Sequence, residues 1–139
     1  MNMNLEIAKT LMEGAEKEAE KIGVQMVISV LDEGGNLVAV HRMGDSLLGS
    51  IDISQNKAWT SVAFKKPTAN LTDAAVPNAD LYGINTTDQG KVVIFGGGIP
   101  IVKNDKVIGA VGVSGGTVEQ DIQVAQAAIQ AFENLKTKN

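Results

Sequence analysis

The amino-acid sequence predicts an α+β domain in which helices pack on a five-stranded antiparallel sheet. Three observations support this class. Helical spacing of apolar residues recurs in three stretches, runs rich in β-branched residues lie between them, and the connections between neighbouring runs are too short for parallel crossovers. A chain of 139 residues buries enough surface for one core, so we expect residues 1–139 to form a single domain.

The first element is an amphipathic helix over residues 5–22, where apolar residues recur at three- and four-residue spacings. Gly23 follows directly and suits the left-handed C-terminal cap that ends a helix. Residues 24–31 are apolar on both faces and β-branched, which predicts an interior strand. The turn residues 32–36 join this strand to a second one over residues 37–42, and the two strands form a hairpin.

Helical spacing returns from Ser50 to Phe64, with Ser50 as the expected N-cap. Pro67 ends this helix. The stretch 68–90 mixes Pro, Asn, Asp and Gly with short apolar groups, which predicts one or two brief helical turns and a loop.

Three strands are predicted next, over residues 91–95, 99–102 and 107–113, and their short glycine-rich or Asn-Asp connections allow only antiparallel neighbours. The chain closes with a helix over about residues 117–135. We interpret the alanine-rich face of this helix mainly as packing on the sheet; the alternative is close contact between subunits. This face comprises Ala125, Ala127, Ala128 and Ala131.

Charge and composition exclude several classes of function. The 12 Lys and Arg against 16 Asp and Glu give a net charge of −4 and no basic block, so we do not expect a nucleic-acid partner. The absence of cysteine excludes thiol nucleophiles, disulfides and zinc ribbons. The longest apolar run is broken by glycines and Pro100, and no secretory signal is visible, so we expect no membrane partner and a cytoplasmic location.

Residues 112–116 read Gly-Val-Ser-Gly-Gly and match the G-x-S-x-G elbow of α/β-hydrolases. That fold needs a parallel sheet and a histidine after the serine, whereas the single histidine, His41, lies upstream. We therefore expect a tight turn from strand to helix, with Ser114 pointing into a pocket. Thr117 and Gln120 form the capping box of the following helix.

The first turn of the last helix also bears on phosphate binding. Glu119 and Asp121 are acidic residues at the positive end of the helix, so they disfavour a bound phosphate there. The backbone N–H groups of Gly115 and Gly116 remain available to a neutral or carboxylate group.

His41 is the one side chain that offers an imidazole to a metal near neutral pH. A zinc site is hard to complete with one histidine and no cysteine, but haem iron needs only one good axial ligand. His41 is therefore the candidate metal ligand, and a partly buried strand residue is the alternative. For Arg42, Asp45 and Lys57 two interpretations stay open: an exposed rim of ion pairs, or a polar mouth for a carboxylate-bearing ligand.

Several blocks of sequence are specific enough to suggest a family. Residues 96–101 read GGGIPI, residues 107–117 read VIGAVGVSGGT, and Glu119-Gln120-Asp121 follow. Together with Val30-Leu31-Asp32 and Arg42-Met43 upstream, these blocks resemble the GlcG/HbpS-like haem-degrading family. The same domain forms the C-terminal half of PduO-type corrinoid adenosyltransferases, and the resemblance covers nearly the whole chain.

The resemblance implies a profilin-like fold, a homo-oligomer, and haem or a corrinoid-related molecule as ligand. It does not imply adenosyltransferase activity, which belongs to a separate domain of PduO proteins. It supports structural or pocket-lining roles for the residues that match the family. These are Asp32, Arg42, Gly97, Gly98, Gly115, Gly116, Thr117 and Glu119.

The leading hypothesis is an oligomeric small-ligand-binding protein, accessory to a metabolic pathway, with haem as the expected cofactor and no catalytic residue assigned. Its expected binding residues are His41, Arg42, Gly97, Gly98, Ser114, Gly115, Gly116 and Thr117. One alternative is an enzyme acting on a small oxygenated acid or aldehyde, with His41 or Asp45 as base and Arg42 holding the carboxylate. The other is a non-catalytic assembly module that docks on a partner enzyme of the pathway.

Overall fold

The computed structural model describes residues 2–137, which contain three α-helices and four β-strands. In chain order these are α1 (Leu5–Ile22), β1 (Val27–Asp32), β2 (Leu37–Arg42), α2 (Gly49–Phe64), β3 (Gly98–Lys103), β4 (Lys106–Ser114) and α3 (Val118–Thr137). The α+β class is confirmed. The profilin-like description implied by the resemblance stays a prediction.

The sheet has four strands in the order β2-β1-β4-β3, and every neighbouring pair is antiparallel. The predicted fifth strand, over residues 91–95, is wrong. The backbone of residues 91–95 forms hydrogen bonds with side chains instead of pairing with a neighbouring strand. Thr60 Oγ1 donates to the carbonyl of Lys91 and accepts from the N–H of Val93. Thr72 Oγ1 donates to the carbonyl of Ile94.

The two faces of the sheet are covered by different helices. Side chains alternate between the faces along a strand. Ile28 and Val30 of β1 join the main apolar core with α1 and α3. Ser29, between them, faces α2, where its hydroxyl lies 2.8 Å from that of Ser54. The molecule therefore has three layers, with α1 and α3 on one side of the sheet and α2 on the other.

Most of the predicted helix boundaries and turns are confirmed. The side chain of Asn4 accepts the N–H of Ile7 at the start of α1, and Gly23 ends that helix in the left-handed region at φ 75°. In the β1–β2 hairpin, Asp32 accepts the N–H groups of Gly34 and Asn36. The segment 68–90 contains three short 3₁₀ turns, at Thr68–Leu71, Ile84–Thr86 and Asp88–Gly90.

The predicted N-cap of α2 is wrong. The helix begins at Gly49, and Leu48 flanks it without a side-chain cap. Ser50 is buried within the first turn, and its hydroxyl accepts a hydrogen bond from Ser114 Oγ at 3.0 Å. Its side chain therefore bonds to the sheet rather than to the helix backbone.

The alanine-rich face of α3 packs inside the molecule, as expected. Ala125 and Ala128 are fully buried in the core. Gly14 of α1 faces Ala131, and a Cβ added at Gly14 would lie 2.7 Å from the Cβ of Ala131. The small residues on both helices therefore allow α1 and α3 to approach closely.

None of the helices within residues 2–137 combines the length and the apolar character that crossing a membrane requires.

Candidate functional site

Most of the expected binding residues lie at one end of the sheet. Arg42 ends β2, Ser114 ends β4, and both are paired with Val27 at the start of β1. At the other edge strand, Gly98 begins β3, and the carbonyl of Gly97 accepts the N–H of Val113 at 2.9 Å. Neighbouring strands are about 4.8 Å apart, so the row from Arg42 to Gly98 extends over about 14 Å.

His41 and Arg42 are adjacent in β2, but their side chains point to opposite faces of the sheet. His41 is paired with Ile28 on the face that carries α1, and its ring contacts Glu16 of that helix. The guanidinium of Arg42 donates to the carbonyl of Ser46 in the loop before α2. The two side chains therefore do not converge on one ligand, which disfavours the version of the enzyme hypothesis that has His41 as the base. The version with Asp45 as the base stays a prediction.

His41 contacts a carboxylate at the surface. Its Nδ1 lies 2.5 Å from Glu16 Oε1, and the imidazole is half exposed. This contact orients the ring and leaves Nε2 open to another partner. Among the described residues, no group of three or more His, Asp and Glu side chains is arranged to hold a metal ion.

An open groove of about 490 Å³ lies beyond His41 at the same end of the molecule. Met43 lines it and follows His41 by two residues, which places the two side chains on the same face. Gln25 also lines the groove, and its Oε1 accepts the N–H of Asp45. The full lining comprises Ala19, Glu20, Gly23, Val24, Gln25, Met43 and Gly44.

Lys57 is not part of an exposed rim, so that interpretation is wrong for this residue. Its side chain is fully buried between α2 and the end of β4. The ammonium donates to Asp121 Oδ2 at 2.9 Å and to the carbonyl of Val113 at 2.8 Å. It also lies 5.1 Å from the centre of the Phe95 ring. Arg42 and Asp45 are exposed, but neither forms an ion pair among the described residues.

Burial shifts the pKa of both partners towards their neutral forms. Desolvation lowers the pKa of Lys57, against the opposing effects of the charge and hydrogen bond of Asp121. Desolvation also raises the pKa of Asp121, which Lys57 and the N–H of Gly116 counteract. Because Gly116 donates to Asp121 Oδ1 at 2.9 Å, the pair also fixes the turn between β4 and α3.

The glycines of the expected site make room for Lys57. A Cβ at Gly97, whose φ is 129°, would lie 2.6 Å from Lys57 Nζ, and a Cβ at Gly98 would lie 2.3 Å from the carbonyl oxygen of Lys57. The N–H of Gly98 donates to Thr68 Oγ1 at 3.0 Å. Gly97 and Gly98 therefore pack against α2, and their lack of a side chain leaves room for Lys57.

The turn after β4 has the local structure expected from its sequence. Thr117 Oγ1 accepts the N–H of Gln120, and Gln120 Oε1 accepts the N–H of Thr117, so the capping box is confirmed. Gly115 has φ 141° and lies against the backbone of Gln25 and Met26. Ser114 is buried and bonded to Ser50. Ligand binding by these residues stays a prediction.

The fold and the site define an α+β protein with a four-stranded antiparallel sheet, helices on both faces and a glycine-lined sheet end. A family model described as haem degrading protein HbpS-like matches residues 3–130. The chain belongs to this HbpS-like family, which confirms the resemblance seen in the sequence.

Relatives and a solved structure support the family. A 15.0 kDa Citrobacter freundii protein from the dhaT-dhaS intergenic region is 48% identical over 133 residues, which are 96% of this chain and 94% of that protein. The corrinoid adenosyltransferase PduO of Citrobacter freundii is 42% identical over 99% of this chain, which spans only 41% of PduO. The crystal structure of the PduOC:heme complex matches with a TM-score of 0.91 and 40% identity, covering 94% of this chain and 95% of that one.

Proposed function

We propose that this chain is a haem-binding module of the HbpS-like family, in which His41 would hold the iron. The observation that carries the proposal is the contact between His41 Nδ1 and Glu16. Metal-ligating histidines commonly donate their second ring nitrogen to a carboxylate, which fixes the tautomer and makes the free nitrogen a better ligand. The arrangement at His41 therefore supports a role for Nε2 towards a metal.

The groove beyond His41 has mixed walls, since the polar residues Glu20 and Gln25 line it together with apolar ones. Val24 and Met43 supply apolar walls, while Gly23 and Gly44 carry no side chain and allow close approach to the backbone. When bound, haem supplies an iron centre for ligand exchange and electron transfer. In this proposal Glu16 orients the imidazole of His41, whose Nε2 would hold the iron.

The crystal structure of the PduOC:heme complex supports haem as the first ligand to test, since that protein is 40% identical to this chain. A corrinoid-related tetrapyrrole is the second candidate, because the curated PduO relative is a corrinoid adenosyltransferase. We further propose a single-domain, cytoplasmic homo-oligomer that is accessory to a metabolic pathway, with an enzyme of that pathway as its second partner.

A haemin titration followed at the Soret band tests this assignment. We expect a saturable Soret change with the natural sequence, and its loss or strong weakening in His41→Ala. Glu16→Gln should weaken binding about tenfold, because the carboxylate no longer supports the imidazole. Glu13→Gln is the matched control, since Glu13 is exposed on the same helix and pairs only with Lys17. Native mass spectrometry of the same samples reads the subunit count and any retained haem.

Two results would count against the proposal at different levels. If the natural sequence shows no saturable Soret change, haem is not its ligand, and the corrinoid becomes the next probe. If the change is the same in His41→Ala, haem binds without His41, and the axial ligand lies elsewhere.

A further inference from the structure

A second pocket lies on the opposite side of the sheet from His41, between α2, the β1–β2 turn and the segment before β3. Its volume is about 330 Å³. We call it the Trp59 pocket, after the single tryptophan of the sequence. It is lined by Leu31, Gly34, Gly35, Asn36, Leu37, Gln55, Asn56, Trp59 and Lys91.

The Trp59 pocket carries a positive charge with no acidic residue in its lining. The ammonium of Lys91 lies 4.9 Å from the centre of the Trp59 ring, which holds it at the pocket. Within residues 2–137, Lys91 takes part in no ion pair. Asp32 and Asp52, beside the pocket, keep their negative charge but are hydrogen-bonded within the fold, since Asp32 accepts from Gly34 and Asn36, and Asp52 accepts from Asn56.

The pocket also offers uncharged hydrogen-bonding groups. In the described part of the chain the indole N–H of Trp59 has no hydrogen-bond acceptor, and it faces Gly35, where a Cβ would lie 3.1 Å from Nε1. Each of the amides of Gln55 and Asn56 uses one N–H on its own helix, at Ile51 and Asp52. Their carbonyl oxygens and second N–H groups are left for a ligand.

We propose that the Trp59 pocket binds a hydroxylated organic carboxylate of about the size of a sugar acid. The carboxylate accepts from the ammonium of Lys91 and the indole N–H of Trp59, a charge-assisted arrangement. The hydroxyl groups bond to the amides of Gln55 and Asn56. This site lies on the α2 face of the sheet, so it is independent of the haem site proposed at His41.

Trp59 provides the readout, because the emission of the single tryptophan reports on this pocket alone. Gluconate is the probe, and sorbitol is its neutral counterpart, with a hydroxymethyl group in place of the carboxylate. Both are titrated at constant ionic strength. We expect gluconate to change the emission with a saturable curve and sorbitol to leave it unchanged. Lys91→Gln should weaken gluconate binding about tenfold or more, whereas Lys66→Gln, at an exposed lysine outside the pocket, should not.

The proposal is overturned if gluconate gives only the small linear response that sodium chloride gives. It is also overturned if a saturable response has the same midpoint in Lys91→Gln, because the ammonium would then not contact the ligand. Haemin titrations of Lys91→Gln distinguish the two proposals, since the Soret change should survive this substitution.

Discussion

At the scale of single residues, the pair of Lys57 and Asp121 is the most demanding feature of the structure. Removing two charges from water costs several kcal/mol per ion, and attraction offsets this only when the remaining hydrogen bonds are made. Here they are made. The ammonium has Val113 as a second acceptor, and the carboxylate has Gly116 as a second donor. The pair joins α2, β4 and α3 at the glycine-lined end of the sheet.

Breaking this pair on one side should destabilise the fold strongly. We expect Lys57→Met to lower the free energy of unfolding by about 3–5 kcal/mol, because Asp121 is then buried without a counter-charge. The double variant Lys57→Met/Asp121→Leu should recover most of that loss, since neither charge is left. Urea denaturation of both single variants and the double variant gives the coupling. Additive losses would show that the two side chains do not stabilise each other.

The sequence contained a signal for Lys57, but a weak one. The buried face of α2 is made of small, mostly polar residues, including Ser54, Ala58 and Ser61. Hydrophobic periodicity does not detect such a face, so the sequence leaves two interpretations open for the lysine beside it, an exposed rim of ion pairs and a polar mouth for a ligand. The partner of Lys57 was hidden for a similar reason, because Asp121 in the first turn of α3 matched the pattern of a helix-dipole residue. Glu16, on the polar side of α1, gave no signal of its contact with His41.

At the scale of elements, the predictions succeeded where local chemistry decides the structure. The β2 strand has the predicted bounds of Leu37–Arg42, and Gly23 and the capping box at Thr117 have the expected roles. The prediction of a strand at residues 91–95 failed because β propensity reflects the composition of a segment and does not say which strand it would pair with. Their backbone is bonded by the side chains of Thr60 and Thr72 across 33 and 22 residues of sequence, and no local pattern reveals that contact.

Gly112 sets how closely α2 packs on the sheet. A Cβ at this position would lie 1.9 Å from the carbonyl oxygen of Ser54, which is backbone and cannot move aside alone. We expect Gly112→Ala to destabilise the protein by about 1–3 kcal/mol or more through overpacking. Gly49→Ala is the control in the first turn of α2, where an added Cβ meets nothing within 4 Å, and it should stabilise by about 0.4–1 kcal/mol. Thermal and urea unfolding measure both, and equal effects would refute the packing argument.

At the scale of the whole molecule, the sheet gathers residues that are far apart in the sequence. Arg42, Gly98 and Ser114 reach the same sheet end because all neighbouring strands are antiparallel. Short connections in the sequence predict antiparallel neighbours, whereas the assignment of Arg42 and the glycines to one site rests on the resemblance to the family. The sequence did not predict the strand order, because pairing between β1 and β4 joins segments separated by most of the chain.

The three layers also seal Lys57 and Asp121 from water, and this affects how overall stability depends on pH. Burial raises the pKa of Asp121 above its ordinary value of about 3.9. Between the ordinary pKa of Asp121 in the unfolded chain and its raised pKa in the folded protein, the native state holds more protons than the unfolded chain does. The stability contributed by Asp121 is therefore present at low pH and is lost as pH rises. Asp121 changes the free energy of unfolding by at most about 1.4 kcal/mol per pH unit.

Asp121→Asn should remove this contribution while keeping an acceptor for Lys57. We expect the free energy of unfolding, measured by urea denaturation from pH 4 upward, to fall less steeply or rise more steeply with pH in Asp121→Asn than in the natural sequence. Asp73→Asn serves as the control, because Asp73 is exposed and its substitution should leave the slope unchanged. Parallel curves for the natural sequence and Asp121→Asn would mean that Asp121 has the same proton affinity in the folded and unfolded states, so that Lys57 and Gly116 fully offset the cost of its burial.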